Sequence, residues 1–304
     1  MRRVSRPDTA TAIFQTHRPR LVRLAYRMLG SLSEAEDVVQ DAWLRWREVD
    51  LAGIQAPSPF LSRIVTRLCL DVMKSARVQR ESYVGSWLPE PLVETAPEPD
   101  PDDLTLTLML ALERLSPLER AAFLLHDVFG VALEEVATTL EREPAAVRQL
   151  AVRARQHVQA ARPRYPVAPE DGDRMARAFF AASHSGDTTA LRDLLAENVV
   201  LRADGGGKVL AFLNPIRGLE RVLRLFARLS AKNAITLENP VQVMWIDGLP
   251  GFASIERGAI LQTTALEIVD GRISAIYITR NPDKLRHVAQ TLDWGVGSAG
   301  DGAI

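Results

Sequence analysis

Cysteine is nearly absent from this sequence of 304 residues, and its scarcity excludes several classes of protein. The single cysteine, Cys69, allows no internal disulfide and no cysteine-based metal cluster, which fits a reducing cytoplasm. Histidine ligands are also scattered, because none of the five forms a pair at helical spacing: His17, His126, His157, His184 and His287. We therefore expect neither a metal nor a cofactor.

Long apolar runs are missing as well. The longest ones are broken by polar pairs such as His126–Asp127, so none approaches the length of a membrane span. The first residues, Met1–Thr11, are polar and no apolar core follows them, so no signal peptide is predicted. These observations predict a cytoplasmic protein that makes no contact with a membrane.

The charge is small in total but unevenly distributed along the chain. A net charge of −1 gives no sign of a nucleic-acid partner. Between Gln79 and Leu112, however, Arg80 is the only basic residue among seven acids, whereas Pro144–Arg164 contains five arginines and no acid. This uneven distribution of charge is more informative than the net charge, and it indicates that different surfaces meet different partners.

Hydrophobic periodicity divides the chain into four predicted segments. Residues 10–85 and 104–163 show helical spacing, and residues 171–292 combine helices with strands. A meander of strands is predicted after the helices, with a hairpin signal at Asp270–Gly271: Ile235–Ile246, Phe252–Glu256, Ala259–Val269 and Arg272–Thr279. Residues 86–103 form an acidic, proline-rich linker that cannot become a helix or a central strand. The proline-marked stretch Arg162–Asp171 is the second boundary.

The first segment is predicted to be a helical bundle. Gly30 ends one helix, and Ser33 is the predicted N-cap of the next, with Glu36 completing a capping box. A loop at Leu51–Pro59 precedes a long helix, Phe60–Arg80. One face of that helix is basic (Arg63, Arg67, Lys74 and Arg77), and the opposite face is apolar (Phe60, Ile64, Leu68 and Val72).

A helix-turn-helix is predicted within Ser116–Gln159. The turn is Glu141–Glu143, and Pro144 suits the first position of the second helix. That helix leaves four polar side chains outside, where they can meet phosphates and base edges: Arg148, Gln149, Arg153 and Arg155. A solvated helical hairpin is the alternative, but the acid-free second helix and the tight turn favour DNA binding.

These motifs resemble a known family. The stretch FQTHRPRLVRLAYRMLGSLSEAEDVVQDAWLRW (Phe14–Trp46) resembles region 2 of an extracytoplasmic-function (ECF) sigma factor, and Ser116–Gln159 resembles its region 4. Three further motifs resemble the signatures of the sigma-J-like group: WLPEP at Trp87–Pro91, DGGGK at Asp204–Lys208 and NPDKL at Asn281–Leu285. The resemblance covers nearly the whole chain and implies a multidomain fold. Two all-α sigma domains, a region 2 bundle and a region 4 helix-turn-helix, precede an α+β cone domain of the NTF2-like or SnoaL-like type.

The resemblance also implies partners and roles. The protein would be an RNA polymerase sigma factor that directs promoter-specific initiation under the control of its C-terminal domain. Its core-polymerase partners would be the β′ clamp helices, met by Asp37, Val38, Gln40 and Asp41, and the β flap. The loop Leu51–Pro59 and the basic face of the long helix would open the −10 promoter element, and the outer face of the second helix would read the −35 element. The acidic linker would thread the polymerase channel. Regulatory contacts would come from Trp87, Asp204, Lys208, Asn281, Asp283 and Lys284.

The C-terminal segment contains candidates for chemistry of its own. DGGGK is not a phosphate-binding P-loop, because Arg202 stands where the first glycine is needed and Val209 replaces the hydroxyl residue. Candidate catalytic residues are His184, Glu256 and Glu267, but no pair of them is fixed by spacing, so no enzyme activity is predicted. A small-ligand sensor remains open.

Two other functions are compatible with parts of the chain. One is a helix-turn-helix transcription regulator with a ligand-sensing C-terminal domain, which would bind duplex DNA without polymerase. The other is a polyketide-cyclase-like enzyme with an accessory DNA-binding arm. The predicted helix Ser33–Glu48 carries a polar stripe of Glu36, Asp37, Gln40 and Asp41. Neither alternative has a use for Asp37–Asp41, which favours the sigma-factor interpretation.

Overall fold

A computed structural model describes residues 7–81, 83–94, 105–159, 167–231, 241–256 and 260–292, with the side chains of 7, 8, 76–81 and 159 left out. The chain forms two compact units. The first contains residues 1–82 and 108–162, and the second contains residues 83–107 and 163–304. The two helical segments therefore share one unit, and the linker groups with the C-terminal segment.

The first unit begins with three helices: α1 (Pro7–Leu29), α2 (Leu32–Trp46) and α3 (Pro57–Glu81). Gly30, at φ 72°, ends α1 as predicted. The predicted N-cap Ser33 is wrong, since Ser31 has the extended backbone of a cap and its side chain accepts from the Glu34 amide. The buried face of α2 is Ala35, Val38, Val39, Ala42 and Trp46, while Trp43 is half-buried against Phe14.

Helix α3 starts earlier than predicted, at Pro57, because proline suits the first helical turn. A short 3-10 turn, Leu51–Gly53, occupies part of the predicted loop. The buried face of α3 is shifted by about one residue along the sequence from the predicted apolar face. The buried positions are Leu61, Val65, Leu68, Cys69 and Met73, whereas Phe60, Ile64 and Val72 are only partly buried.

Four further helices follow: α4 (Leu106–Leu112), α5 (Pro117–Phe123), α6 (Leu133–Leu140) and α7 (Pro144–Gln159). Ser116 and Glu119 form a reciprocal capping box at the start of α5. Glu141 ends α6 in the left-handed conformation, at φ 54°, so the chain turns sharply into α7. The predicted helix-turn-helix is thus formed by α6 and α7, and no described helix is long and apolar enough to cross a membrane.

The buried Arg120 of α5 joins the two halves of the first unit. Its guanidinium is 1% exposed and donates to the Leu112 carbonyl from two nitrogens, at 2.9 and 2.7 Å. A third nitrogen donates to the Met28 carbonyl at the end of α1 (2.7 Å) and to Glu113 (2.6 Å). A buried charge is tolerated only when it is paired and hydrogen-bonded, as it is here.

The second unit is a curved seven-stranded sheet covered by helices. Its elements are β1 (Val93–Glu94), α8 (Pro169–Ser185), α9 (Thr188–Leu194), β2 (Leu195–Asp204), β3 (Ile216–Arg217), α10 (Leu219–Ala231), β4 (Val241–Ile246), β5 (Leu249–Glu256), β6 (Ile260–Val269), β7 (Arg272–Thr279) and α11 (Arg286–Leu292). The strand order is β1-β4-β5-β6-β7-β2-β3, and only β2 and β7 pair in parallel. This is the helices-then-meander arrangement that the sequence predicts.

Two aspartate–glycine turns set the register of this meander. The predicted hairpin at Asp270–Gly271 is present, with φ of 51° and 74°. A second one at Asp247–Gly248, with φ of 47° and 67°, joins β4 to β5 and starts β5 at Leu249 rather than at the predicted Phe252. The predicted strand residues 235–240 and 259 lie outside the described part of the chain.

Candidate functional site

The polar stripe of α2 is a continuous solvent-exposed face. Asp37, Gln40 and Asp41 are exposed at helical spacing, and Leu44, 44% exposed, extends the same face by one turn. Val38 lies instead in the core, at 4% exposure. Sequence reasoning overlooked Leu44, although its position seven residues after Asp37 is the signal that could have found it.

The basic face of α3 is divided by its contacts. Arg63 is partly buried, and Lys74 is exposed and pairs with Asp71 at 2.9 Å. The guanidinium of Arg67 donates to the Thr139 carbonyl (3.4 Å) and forms an ion pair with Glu141 (2.8 Å) at the turn between α6 and α7. The side chain of Arg77 lies outside the described residues.

The outer face of α7 carries all four residues predicted to read DNA. Arg148, Gln149, Arg153 and Arg155 are exposed, and Val152, 48% exposed, lies among them. The three arginines pair with acids of the same unit: Arg148 with Glu134, Arg153 with Glu119 and Arg155 with Asp127. The Arg148–Glu134 pair is exposed on both sides and contributes only about 0–1 kcal/mol, so a phosphate can replace its acid at low cost. The acids of the other two pairs are largely buried, with side-chain exposures of 16% for Glu119 and 15% for Asp127.

The motifs WLPEP, DGGGK and NPDKL meet around one buried carboxylate. Asp204 has no exposed surface and ends β2. Its Oδ1 accepts from the Tyr83 hydroxyl (2.5 Å) and the Gly206 amide (3.0 Å). Its Oδ2 accepts from the Leu88 amide (2.9 Å) and from Nζ of Lys284 (2.8 Å). Four donors therefore satisfy the charge that burial would otherwise penalise.

Lys284 contacts both Asp204 and the residues of the linker. Its ammonium also donates to the Leu88 carbonyl and lies 4.3 Å from the ring centre of Trp87 and 5.0 Å from that of Tyr83. Asn281 donates to the Tyr83 hydroxyl at 3.0 Å. We call the set Tyr83, Trp87, Leu88, Asp204, Asn281 and Lys284 the linker clamp.

Further contacts extend the attachment of the linker beyond the clamp. His287 donates to the Pro91 carbonyl at 2.5 Å, and the Leu92 carbonyl accepts from the Asp247 amide at 2.9 Å. Val93 and Glu94 then pair with β4 as an edge strand. Lys208 and Asp283, the two remaining predicted contacts, form a half-exposed ion pair with each other. Residues 83–94 are thus bound to the second unit from end to end.

The glycines of DGGGK serve close packing, not phosphate binding. A Cβ on Gly206 would lie 2.3 Å from Nδ2 of Asn281, and one on Gly205 would lie 2.1 Å from the Val209 carbonyl. Gly206 and Gly207 also have φ of 62° and 72°, which other residues rarely adopt. The loop therefore needs glycine to approach NPDKL.

Two of the residues considered for catalysis lie together. Nε2 of His184 on α8 is 3.2 Å from Oε1 of Glu256 on β5, although 72 residues separate them. Ser254 donates to the same oxygen at 2.8 Å. Glu267 is elsewhere and accepts from the Tyr277 hydroxyl at 3.3 Å. Spacing in the sequence gave no sign of the His184–Glu256 pair, since it depends on how α8 packs on the sheet.

Comparison with known proteins agrees with this architecture. Residues 13–78 match the family Sigma-70 region 2, and residues 105–158 match Sigma-70, region 4. These two modules, in this order, define the class of RNA polymerase sigma factors. The helix-turn-helix regulator considered as an alternative is not better supported by these matches.

Relatives that align over most of this chain identify the group of sigma factors. The ECF RNA polymerase sigma factor SigJ of Mycobacterium tuberculosis is 36% identical over 89% of this chain and 91% of its own length. The probable ECF RNA polymerase sigma factor SigI of the same species is 31% identical over 96% of this chain and the whole of its own. The crystal structure of M. tuberculosis SigJ superposes with a TM-score of 0.72 and 31% identity, covering 90% of this chain and 98% of that one.

The chain belongs to the ECF RNA polymerase sigma factor family, and its second unit has the SnoaL-like fold. Members of this family bind core RNA polymerase and promoter DNA to direct transcription initiation, and that is the function of this protein.

Proposed function

We propose that this sigma factor is restrained by its own C-terminal unit, which holds the linker through the clamp until polymerase or a signal releases it. The observation that carries the proposal is the fully buried Asp204 carboxylate, which binds Tyr83, Leu88 and Lys284 at once. The linker cannot thread the polymerase channel while its backbone occupies these bonds. Release of residues 83–94 is therefore a required step in initiation.

Core polymerase is bound by the exposed face of α2. Asp37, Gln40 and Asp41 offer acceptors for a basic partner, and Leu44 offers apolar area beside them. Val38 contributes indirectly, because its buried side chain holds the helix in the bundle. The β′ clamp helices are the expected partner for this face and the β flap for region 4.

Promoter DNA is read by two surfaces of the first unit. The outer face of α7 binds the −35 element, with Val152 placed to meet a thymine methyl group between Arg148, Gln149, Arg153 and Arg155. The loop 51–59 with Arg63, Arg67, Lys74 and Arg77 opens the −10 element. Arg67 must first leave Glu141, so promoter opening requires α3 and the α6–α7 turn to separate.

The SnoaL-like unit regulates and does not catalyse. Nδ1 of His184 lies 2.9 Å from the Phe180 carbonyl, which can only accept, and Nε2 faces Glu256, so both ring nitrogens are bonded within the protein. The protein acts in the cytoplasm with polymerase. Domain boundaries of 10–85, 86–103, 104–163 and 171–292 remain our proposal for the sigma modules, the linker and the regulatory domain.

The test compares polymerase binding by clamp variants of the full-length chain. Asp204→Asn combined with Lys284→Met removes both buried charges together, so neither is left unpaired. We expect faster hydrogen exchange of the Leu88 amide and tighter binding to core polymerase, by about 5-fold to 150-fold, the usual range for coupled sites. The matched control is Lys208→Met, which removes a half-exposed ion pair of the same unit. Faster Leu88 exchange with unchanged or weaker polymerase binding would overturn the restraint.

A further inference from the structure

The SnoaL-like unit encloses a cavity that the clamp does not use. Its volume is about 340 Å³, within the range of sites that hold small molecules. Four aromatic rings form much of its wall: Phe179, Phe212, Phe226 and Phe252. Leu210, 72% exposed, also lines it, so an apolar side chain stands where solvent meets the cavity. A wall of this composition selects a compact, mainly apolar ligand.

One polar group inside the cavity has capacity for a ligand. Oε1 of Glu256 accepts from Ser254 and lies 3.2 Å from Nε2 of His184, whereas within the described part of the chain no hydrogen bond reaches Oε2. A carboxylate can accept at both oxygens, so Glu256 is suited to a ligand that donates. Two arginines also belong to the lining: Arg280 donates to the Leu210 carbonyl, and Arg228 is exposed to solvent, which screens its charge. Together with Glu256 the lining therefore carries charges of both signs.

The cavity wall and the linker clamp consist of consecutive residues. Ala203 lines the cavity, and the next residue is Asp204. Arg280 lines it too, and the amides of Arg280 and Asn281 both donate to the Asp204 carbonyl, at 2.7 and 3.0 Å. A ligand that shifts the ends of β2 and β7 therefore shifts the groups that hold the linker.

We propose that this cavity is an effector site for a small, neutral, mainly apolar molecule bearing one hydrogen-bond donor, such as a hydroxyl group, which Glu256 accepts. Occupancy changes the strength of the linker clamp. The effector role rests on the proposed restraint by the clamp, whereas the binding site does not.

Thymol and p-cymene are suitable probes, because they differ only in the hydroxyl group. Thymol methyl ether keeps the oxygen and lacks the donor. In a ligand-observed NMR titration of the full-length chain, we expect saturable binding of thymol and at least roughly tenfold weaker binding of the other two, as for a lost bond to a charged acceptor. Equal binding of all three, or no saturable binding of thymol, would overturn the site.

Variants locate the probe. Leu225→Trp fills the cavity and should abolish thymol binding, and Glu256→Gln should reduce the preference for thymol over p-cymene. Glu267→Gln is the matched control, because Glu267 lies on β6 outside the cavity lining. Thermal melting verifies that each variant is folded. Thymol binding that persists in Leu225→Trp would place the probe elsewhere and overturn the proposal.

Exchange of the Leu88 amide reports the effect on the clamp, since this amide donates to Asp204. We expect thymol to change its exchange rate in the wild-type chain and not in Leu225→Trp. Saturable binding in the cavity with unchanged Leu88 exchange would overturn the effector role. A response of Leu88 to thymol without any effect of clamp variants on polymerase binding would instead count against the proposed restraint.

Discussion

Arg67 of α3 and Glu141 of the helix-turn-helix form an ion pair of 2.8 Å that links a residue of the proposed −10 surface to the start of the −35 module. Both side chains are partly exposed, 44% and 72%. Together with the buried Arg120, this pair keeps the two sigma modules in one unit. The ion pair therefore occupies an arginine of the proposed −10 surface.

Replacing Glu141 by Gln should strengthen promoter binding by the full-length protein. Arg67 then loses its ion pair and keeps the longer bond to the Thr139 carbonyl (3.4 Å). A surface pair of this exposure contributes only about 0–1 kcal/mol, so the expected gain is about 2-fold to 5-fold. Fluorescence anisotropy with a labelled promoter fragment measures it. Glu143→Gln, in the same turn, is the control. If Arg67→Ala leaves DNA affinity unchanged, Arg67 has no role in DNA binding.

Removing the acids of α2 should weaken polymerase binding without unfolding the bundle. We expect Asp37→Ala with Asp41→Ala to lose charge-assisted contacts, and Leu44→Ala to lose apolar area, each costing on the order of tenfold in affinity. These side chains are exposed, so thermal melting should be nearly unchanged. Titration of labelled protein with core polymerase measures the loss, and Glu36→Gln on the same helix serves as the control. Wild-type affinity in both the double variant and Leu44→Ala would exclude this face.

Replacing Arg120 by Met should destabilise the first unit by about 3–5 kcal/mol, the usual cost of breaking a buried charged network. The substitution removes donors from the carbonyls of Leu112 and Met28 and leaves Glu113 without this partner. Urea unfolding followed by far-ultraviolet circular dichroism measures the change. Arg114→Met, at an exposed position nearby, should have little effect. Comparable losses in both variants would mean that burial of Arg120 is not the cause.

Much of the fold is predictable because local signals agree with it. Three local turn signals are present in the structure as predicted: Gly30, the Glu141–Pro144 turn and the Asp270–Gly271 hairpin. The N-cap of α2 was misplaced by two residues, since Ser31 and Ser33 are both suitable caps and only the backbone decides between them. The predicted apolar face of α3 is wrong because apolar residues occupy neighbouring positions at helical spacing, so the sequence is compatible with burial of either set.

The site was less accessible from sequence because its contacts join distant residues. Asp204 meets Tyr83 across 121 positions, and His184 meets Glu256 across 72. The motifs WLPEP, DGGGK and NPDKL indicated which residues matter, but nothing local shows that they surround one carboxylate. The cavity likewise exists only after α8 and α10 pack on the sheet.

Alkaline titration should reveal Tyr83 as a protected member of the clamp. Burial raises the pKa of the Tyr83 phenol, and its hydrogen bond to Asp204 raises it further, above the usual range. Because the folded pKa exceeds the unfolded value of about 10, its contribution to stability is complete below that pH and is lost as the pH rises through the folded pKa. The ultraviolet spectrum of tyrosinate should therefore show late titration, which Tyr83→Phe removes in part. Tyr277, whose pKa burial raises to about 12, also contributes to the late titration. Asp204→Asn should move the Tyr83 transition to lower pH, and an unchanged transition in that variant would show that Asp204 does not hold the phenol.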